Sequence, residues 1–471
     1  MSLRCMTLFL CFAFLVLYSG FLTECFADQP QSHEEKEVSL LDCVTKALQS
    51  NPKLLSKIDE RRAAKSRYKQ AKTANQPRIK AEETFTRMRE PLSFALPGAP
   101  QMAIGDDKLQ IKTLRVSQPL YTGGKIENSI KAAGSEVNIR RFSEVQHREA
   151  LTCQVVEAYI SVMKANAFQQ IASQALYDTE GHARQVENML LFGSVVRNDL
   201  LKIQVSVSER KENLIRANNA TKLSCNFLEN LIGEELPDDV TTAEFSYMVM
   251  PPADEKKAME LARNNHPALL AMRESLRMHR FAARAAKGDL LPTIGLQWNL
   301  NSGTQLNESQ SNWDATLYVG FNIFDAGEAR AKVKEAKIGH QKAVHDLEGL
   351  ERDISLAVQQ ALLQIEEAKA RLEVAKEAEA QAKESMRLTE ESFKAGSATS
   401  QSLLDDETAL VAAEQRRITA EFDRILAETH LWFSIGGLER ALFSTAQLSV
   451  DASAASIATM SQEIFATGES K

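Results

Sequence analysis

The chain has 471 residues, a mean hydropathy of −0.28 and a formal net charge of −7, from 56 Lys and Arg against 63 Asp and Glu. Its 20 glycines and 12 prolines amount to about 7% of the residues, against about 12% in an average protein, which predicts few turns and long helices. This composition excludes collagen-like, disordered and disulfide-framework proteins, and the mild acidity argues against a nucleic-acid partner.

The N-terminus has the pattern of a secretory signal. Arg4 precedes an apolar run from Cys5 to Leu17, and small residues follow at Cys25 and Ala27. We predict a signal peptide over residues 1–27 that is removed from the mature chain. Two alternatives stay open. The run is short for an uncleaved membrane anchor, and lipid attachment at Cys25 would place Glu24 where a small residue is wanted.

Three cysteines remain after the predicted signal, namely Cys43, Cys153 and Cys225. They lie far apart on predicted helices, and the sequence contains neither a CxxC motif nor a Cys/His cluster. We therefore predict no metal site and no cofactor, and we expect these cysteines to pack between helices.

The rest of the chain contains two copies of one unit. Residues 47–55 (ALQSNPKLL) match residues 262–270 (ARNNHPALL), and the later parts of the copies match, 203 residues apart, as far as Ile232-Gly233 and Ile435-Gly436. This duplication predicts a first repeat at 28–233, a linker at 234–257, a second repeat at 258–437 and a partly disordered tail at 438–471. The linker and the start of the tail are expected to form a belt around the middle of the helices.

Each copy predicts a helix, a strand pair, a long helix and a shorter helix. In the first copy the helices are predicted over 42–75, 125–192 and 199–232, so that two shorter helices could lie end to end along the long one. In the second copy a long helix is predicted over 328–394. Its apolar positions recur at alternate steps of four and three, as in a coiled-coil seam: Ile354, Val358, Ala361, Ile365, Ala368, Leu372 and Ala375.

The strands carry one apolar face. Side chains alternate with period two along 293–300 and 313–323, and Trp298 and Trp313 are expected on a wall that faces lipid. In the first copy the pattern is weaker, since Glu83 stands where the second copy has Trp298. Residues 91–107 and 302–311 are predicted to be hairpin loops. Because four strands cannot close a barrel and an open edge cannot face lipid, several chains would have to share one barrel.

These features together resemble the TolC-type outer-membrane efflux and secretion channels, over residues 38–436. The resemblance is carried by the helix starts at Asn51-Pro52 and His266-Pro267, the junctions at 118–124 and 322–327, and the paired tips at 191–194 and 394–397. It implies a mainly α fold with a small β part: long antiparallel coiled-coil hairpins that form an α-barrel tunnel, and four transmembrane strands per chain in a shared trimeric β-barrel. It also implies a homotrimer in the outer membrane of a Gram-negative-type bacterium.

The resemblance further implies an exit duct that performs no chemistry, in a tripartite efflux or type I secretion system with a periplasmic adaptor and an inner-membrane pump. A ring of aspartates that narrows the periplasmic entrance would fall at Asp405 or Asp406, with Ser402 in the other ring position. The alternative is that Asp405, Asp406 and Glu407 form a solvated acidic face near a helix N-terminus. The tips are expected to dock the adaptor, although a helix reversal by itself calls for glycine there: Phe192, Gly193, Ser194, Val195, Ala395, Gly396, Ser397 and Ala398.

A second class of protein stays open, a soluble periplasmic coiled-coil scaffold or chaperone. An enzyme is not expected, because the sequence has no convergent nucleophile, acid/base pair or metal cluster.

Overall fold

The computed structural model describes residues 38–90, 93–94, 98, 102–103, 107–236, 250–305 and 308–444. The predicted signal peptide lies outside these residues, as do most of the loop predicted at 91–107, the linker residues 237–249 and the tail from 445 onward. The helices are α1 (Leu40–Ser50), α2 (Pro52–Thr73), α3 (Lys125–Leu191), α4 (Arg197–Ile232), α5 (Glu255–Asn265), α6 (Pro267–Lys287), α7 (Glu328–Lys394) and α8 (Ser400–Ile435). The strands are β1 (Arg78–Arg87), β2 (Ser93–Phe94), β3 (Met102–Ala103), β4 (Lys108–Thr122), β5 (Thr293–Gln305) and β6 (Glu308–Gly320).

Equivalent helices of the two copies have equal or nearly equal lengths. Helices α3 and α7 have 67 residues each, and α4 and α8 have 36 each. The predicted long helices are thus confirmed almost to the residue, while α4 begins two residues earlier than predicted, at Arg197. Helix α5 begins at Glu255, inside the predicted linker.

The single helix predicted over 42–75 is wrong, because α1 and α2 are separate helices. Pro52 has no backbone N–H to continue α1, and Asn51 is extended, with φ −64° and ψ 120°. The Asn51 side chain instead caps α2, its Oδ1 accepting from the Lys53 N–H at 3.0 Å. His266 repeats this arrangement before α6, with its Nδ1 accepting from the Ala268 N–H at 3.3 Å.

Helix α3 lies at the centre of the helical layer. It packs against α2 and α4 on one side and against α6 and α8 on the other, while α7 packs against α6 and α8. Ion pairs join α2 to the first half of α3, such as Arg67 to Glu136 at 2.8 Å, and Lys211 of α4 pairs with Glu180 in its second half at 3.2 Å. Two shorter helices therefore accompany each long one, as predicted. The outer members of the layer are α7 at one edge and α2 with α4 at the other.

The coiled-coil seam predicted on α7 is confirmed, since all seven of its positions are buried. The first part of the seam, from Ile354 to Ala368, packs against α5, α6 and α8 around Leu269 and Leu431. Many seam residues are alanine, which lets α8 approach closely. Around α3 the buried side chains are larger and include Tyr159, which is 1% exposed.

The sheet has the order β1-β4-β5-β6, with every neighbouring pair antiparallel. The loop predicted at 302–311 is wrong, because β5 and β6 continue through it and pair as far as Gln305 with Glu308. Strand β6 ends at Gly320 and not at 323, since Gly320 pairs with Thr293, the first residue of β5, and none of the strands in the described part of the chain extends beyond this pair. The short pair β2 and β3 lies within the other predicted loop.

Residues 438–444 are helical, so the first part of the predicted tail is ordered. Leu438 and Leu442 are buried against α3 and α8. The Glu149 carboxylate of α3 accepts from the backbone N–H groups of Leu438 and Glu439 at 3.0 and 3.2 Å, which caps this segment. Within the described ranges, none of the helices contains a stretch both long and apolar enough to cross a membrane.

Candidate functional site

One face of the sheet is apolar across all four strands. Along one cross-strand row, Ile79 pairs with Val116, Val116 with Trp298, and Trp298 with Ala315. The next row contains Ala81, Leu114, Leu300 and Trp313. Described residues of the chain leave this face uncovered, and Ile79, Trp313 and Leu317 are 73%, 65% and 63% exposed. Such a continuous surface requires an apolar environment.

The opposite face of the sheet is polar and internally hydrogen-bonded. Arg115 Nε donates to Asn299 Oδ1 at 3.1 Å, and Asn299 Nδ2 donates to Asp314 Oδ2 at 2.9 Å. On the next row Thr113 Oγ1 donates to Asn301 Oδ1 at 2.9 Å. The sheet thus presents an apolar face on one side and a hydrogen-bonded polar face on the other.

The register explains the position of Glu83. Ile79, and not Glu83, occupies the row of Trp298, because β1 is displaced along the sheet relative to β5. Glu83 stands opposite Lys112, which pairs in turn with Ser302, so it lies where the apolar rows have ended. The Lys112 Nζ lies 3.6 Å from a Glu83 carboxylate oxygen. The charge therefore does not interrupt the apolar face.

Both outer strands of this sheet have an unpaired edge. Within the described residues β1 pairs only with β4, and β6 pairs only with β5. The free edges carry rows of backbone N–H and C=O groups that need partners wherever water is excluded.

At the far end of the helices, both tips turn at a left-handed glycine, as the sequence predicts. Gly193 has φ +73° and Gly396 has φ +78°, and a Cβ on either would meet nothing within 4 Å. The Gly193 N–H donates to Leu190 O and the Gly396 N–H to Phe393 O, both at 3.0 Å. Glycine is favoured at both tips because the backbone is left-handed there, and not because a side chain would lack space.

The side chains at the two tips differ in exposure. Phe192 is 87% exposed, whereas Phe393 of the other tip is 2% exposed in a small core with Ile203 and Leu403. Val195 and Ala398 pack against that core. The exposed members of the predicted docking set are therefore Phe192, Gly193, Ser194, Ala395, Gly396 and Ser397.

The predicted constriction residues lie on the first two turns of α8. Ser402 and Asp405 are exposed on one face, and Gln401 Nε2 donates to Asp405 Oδ1 at 2.8 Å. Asp406 is half-buried and accepts a hydrogen bond from Thr389 of α7. Asp405 therefore has a freer carboxylate for an aqueous passage than Asp406.

The next residue, Glu407, is buried, so it does not belong to a solvated acidic face. Its side chain accepts a hydrogen bond from Thr179 of α3, and the Arg210 Nε of α4 lies 3.9 Å from it. Burial outweighs the attraction to Arg210 and raises the pKa of the Glu407 carboxyl. Glu407 of α8 thus contacts α3 and α4 of the first repeat close to the tips. No local sequence pattern indicates these contacts.

The structure brings together a cysteine and a histidine that no sequence motif connects. Cys153 and Glu157 lie one turn apart on α3, and His430 of α8 reaches the same place. His430 Nε2 lies 2.9 Å from Glu157 Oε1, and the Cys153 thiol donates to this oxygen at 3.5 Å. Cys153 and His430 are 277 residues apart, so only the packing of α8 on α3 could bring them together.

Comparison with known proteins places the chain in a family. The profile of the outer membrane efflux protein family matches residues 43–234 and 258–437. The chain is 24% identical over 410 residues to the outer membrane efflux protein BepC of Brucella suis, covering 84% of this chain and 85% of that protein. It is 23% identical over 339 residues to the cation efflux system protein CusC of Escherichia coli, covering 69% of this chain and 72% of the relative.

Solved structures share the fold. A CusC crystal structure has a TM-score of 0.74 at 18% identity, covering 84% of this chain and 91% of that one. The outer-membrane protein VceC of Vibrio cholerae has a TM-score of 0.72 at 16% identity, covering 84% and 96%. The family and the relatives are outer-membrane proteins, and this location contradicts the alternative of a soluble periplasmic scaffold. The chain belongs to the outer membrane efflux protein family, and it is an export channel of the outer membrane.

Proposed function

We propose that three copies of this chain form one exit duct, in which their sheets complete a single β-barrel and their helices a periplasmic tunnel. The observation that supports this most is the sheet, whose apolar face runs without interruption to two unpaired edges. A four-stranded sheet cannot close on itself, and open edges are not tolerated in lipid. Pairing β6 of one copy with β1 of the next satisfies both edges and encloses the polar face.

The edges of the helical layer support the same assembly. Leu356, Leu363 and Val374 on α7 are 53%, 65% and 67% exposed. On α4, at the opposite edge, Leu223 and Phe227 are 71% and 57% exposed. These side chains would be covered if α7 of one copy packed against α4 of its neighbour, so that each copy uses two different surfaces and the ring closes by rotation.

The remaining roles follow the family resemblance and the exposures at the tips. The exposed tip residues are proposed to dock a periplasmic adaptor that links the duct to an inner-membrane pump. Asp405 of each copy is proposed to narrow the periplasmic entrance of the duct. The names of the relatives mention efflux and therefore favour an efflux system over type I secretion. The domain limits predicted from the sequence are proposed to hold, with α5 assigned to the second repeat.

The test is the mass and the membrane of the detergent-extracted protein. Outer-membrane fractionation followed by a light-scattering mass, corrected for detergent, is expected to give three mature chains. A β signal that resists heating would accompany a closed barrel. A water-soluble monomer or dimer would contradict the shared barrel, since the apolar face would then have to tolerate water.

A further inference from the structure

A cluster outside the sheet and the tips joins the two repeats at mid-height of the helices. Cys153 and Glu157 of α3 and His430 of α8 place one thiol, one carboxylate and one imidazole within 4.8 Å of one another. From this geometry we propose that the three side chains bind a zinc ion, which would connect α3 of the first repeat to α8 of the second.

The distances suit such an ion. Zinc bonds of about 2.0–2.3 Å in tetrahedral geometry hold neighbouring ligand atoms about 3.3–3.8 Å apart. The Cys153 Sγ and Glu157 Oε1 are 3.5 Å apart, and His430 Nε2 is 2.9 Å from that oxygen. The third pair, Cys153 Sγ and His430 Nε2, lies within 4.8 Å. Rotations of the Cys153 and His430 side chains that bring these two atoms up to about 1 Å closer would therefore complete the tetrahedral spacing.

The surroundings favour a cation with an open fourth position. Cys153 is 6% exposed among apolar neighbours, whereas the side chains of Glu157 and His430 are 44% and 42% exposed. An ion can thus enter from the side of Glu157 and His430, and a water molecule can complete the tetrahedron. The Glu149 carboxylate, one turn from Cys153, is not counted as a ligand, because it accepts from the backbone N–H groups of Leu438 and Glu439.

The proton balance of binding is simple. Cys153 is a thiol that donates to Glu157, and zinc binds cysteine as the thiolate. Binding therefore releases the thiol proton to water. The Glu157 oxygen, which accepts from Cys153 and faces His430, turns to the metal. The His430 Nε2 carries the hydrogen that faces this carboxylate; a charged ring gives that proton to water, a neutral ring passes it to Nδ1, and His430 then binds through its neutral Nε2. No oxidant or reductant takes part.

The experiment uses the full chain without a polyhistidine tag, purified in detergent, reduced and treated with a chelator. Titration with Co²⁺ as a spectroscopic probe is expected to give a thiolate-to-cobalt charge-transfer band that saturates at one ion per chain and disappears when Zn²⁺ is added. Cys153→Ser should abolish the band. His430→Gln and Glu157→Gln, at half-exposed positions, should weaken Co²⁺ binding at least about tenfold.

Cys225→Ser is the matched control, because Cys225 is half-buried on α4 and lies outside the cluster; it should retain the band. A second measurement keeps the proposal testable if Cys153→Ser misfolds: Zn²⁺ should raise the Tm of the unsubstituted protein and not that of His430→Gln. Absence of the thiolate band in the unsubstituted protein, or its persistence in Cys153→Ser, would overturn the proposal and leave a hydrogen bond between His430 and Glu157. Neither result depends on trimer formation.

Discussion

The two long helices have the same length but opposite positions in the layer. Helix α3 has neighbours on both sides and buries large side chains such as Tyr159 and Ile160. Helix α7 lies at an edge and buries little besides its narrow seam, leaving Leu363 and Val374 uncovered. Length is shared because both helices must reach from the sheet to the tips. Side-chain size differs because only one of them is surrounded within its own chain.

The largest expected effect comes from changing the exposed edge. In the double variant Leu363→Glu and Val374→Glu, two carboxylates would be buried between copies, at a cost of several kcal/mol per interface. We expect loss of the trimer by light scattering, with helix content retained. The control is Gln364→Glu, an exposed polar position on the same turn. A trimer that survives the double variant would show that α7 is not an interface.

The two junctions between sheet and helix also differ, because only one of them has room for a Cβ at its left-handed residue. A Cβ on Gly123, which has φ +63°, would lie 2.6 Å from the Gly288 carbonyl oxygen, whereas its counterpart Ala326 already adopts φ +53°. Gly123→Ala should destabilise the protein by about 3 kcal/mol through overpacking and left-handed strain. Ala326→Gly should change stability by less than about 1 kcal/mol, because relief of strain and loss of chain rigidity offset each other. Denaturant midpoints in detergent would measure both, and equal shifts would contradict this account.

The tips differ in one exposed aromatic residue. Phe192 occupies the position that Ala395 has in the second repeat, and its exposure predicts that Phe192→Ser changes stability by less than about 0.5 kcal/mol. If the first tip docks an adaptor, the variant should export less and recover less adaptor in co-purification, while Ala395→Ser should match the parent. Unchanged export would assign the tip a turn role alone.

The ion selectivity of the periplasmic entrance is expected to depend on the second repeat. Asp405 corresponds to Lys202 in the first repeat, so only one repeat offers a carboxylate at this position. Asp405→Ala should lower the preference for cations in planar bilayers and raise conductance. Asp406→Ala, which removes the partner of Thr389, should change selectivity less. Equal effects of the two substitutions would mean that the ring of carboxylates is not formed by Asp405.

The smallest expected effect concerns Glu407, whose counterpart Gln204 is exposed. Because burial raises the pKa of Glu407 in the folded state, the folded protein binds its proton more tightly than the unfolded chain does. This residue therefore favours folding below its unfolded pKa, and that contribution is lost as the pH rises through the folded pKa.

We accordingly expect Glu407→Gln to raise the Tm modestly at pH 7, because it removes a buried charge and keeps an acceptor for Thr179. The gain should shrink as the pH is lowered, since protonation removes the charge from the carboxyl of the parent. Thermal unfolding of both proteins over a series of pH values measures the difference. A lower Tm of the variant at pH 7 would mean that the attraction between Arg210 and Glu407 outweighs burial.

Local and repeated features of the structure follow from the sequence alone. The period of seven fixed the seam of α7, period two fixed the apolar faces of β5 and β6, and tip glycines followed from the left-handed conformation that ends a helix. The sequence also predicted the outer-membrane channel family, because element order and the duplication are properties of the chain alone. The departures are the break at Asn51, the ends of the strands, the start of α5 and the helical segment at 438–444.

Tertiary structure decided everything that depends on register and on contacts distant in the sequence. Sheet pairing, and not the repeat alignment, placed Ile79 beside the row of Trp298 and moved Glu83 beyond the apolar rows. Helix packing buried Glu407 between the hairpins and brought His430 to Cys153 across 277 residues. A periodic pattern shows which face of an element is apolar, but the partner of that face is chosen by the geometry of the whole chain.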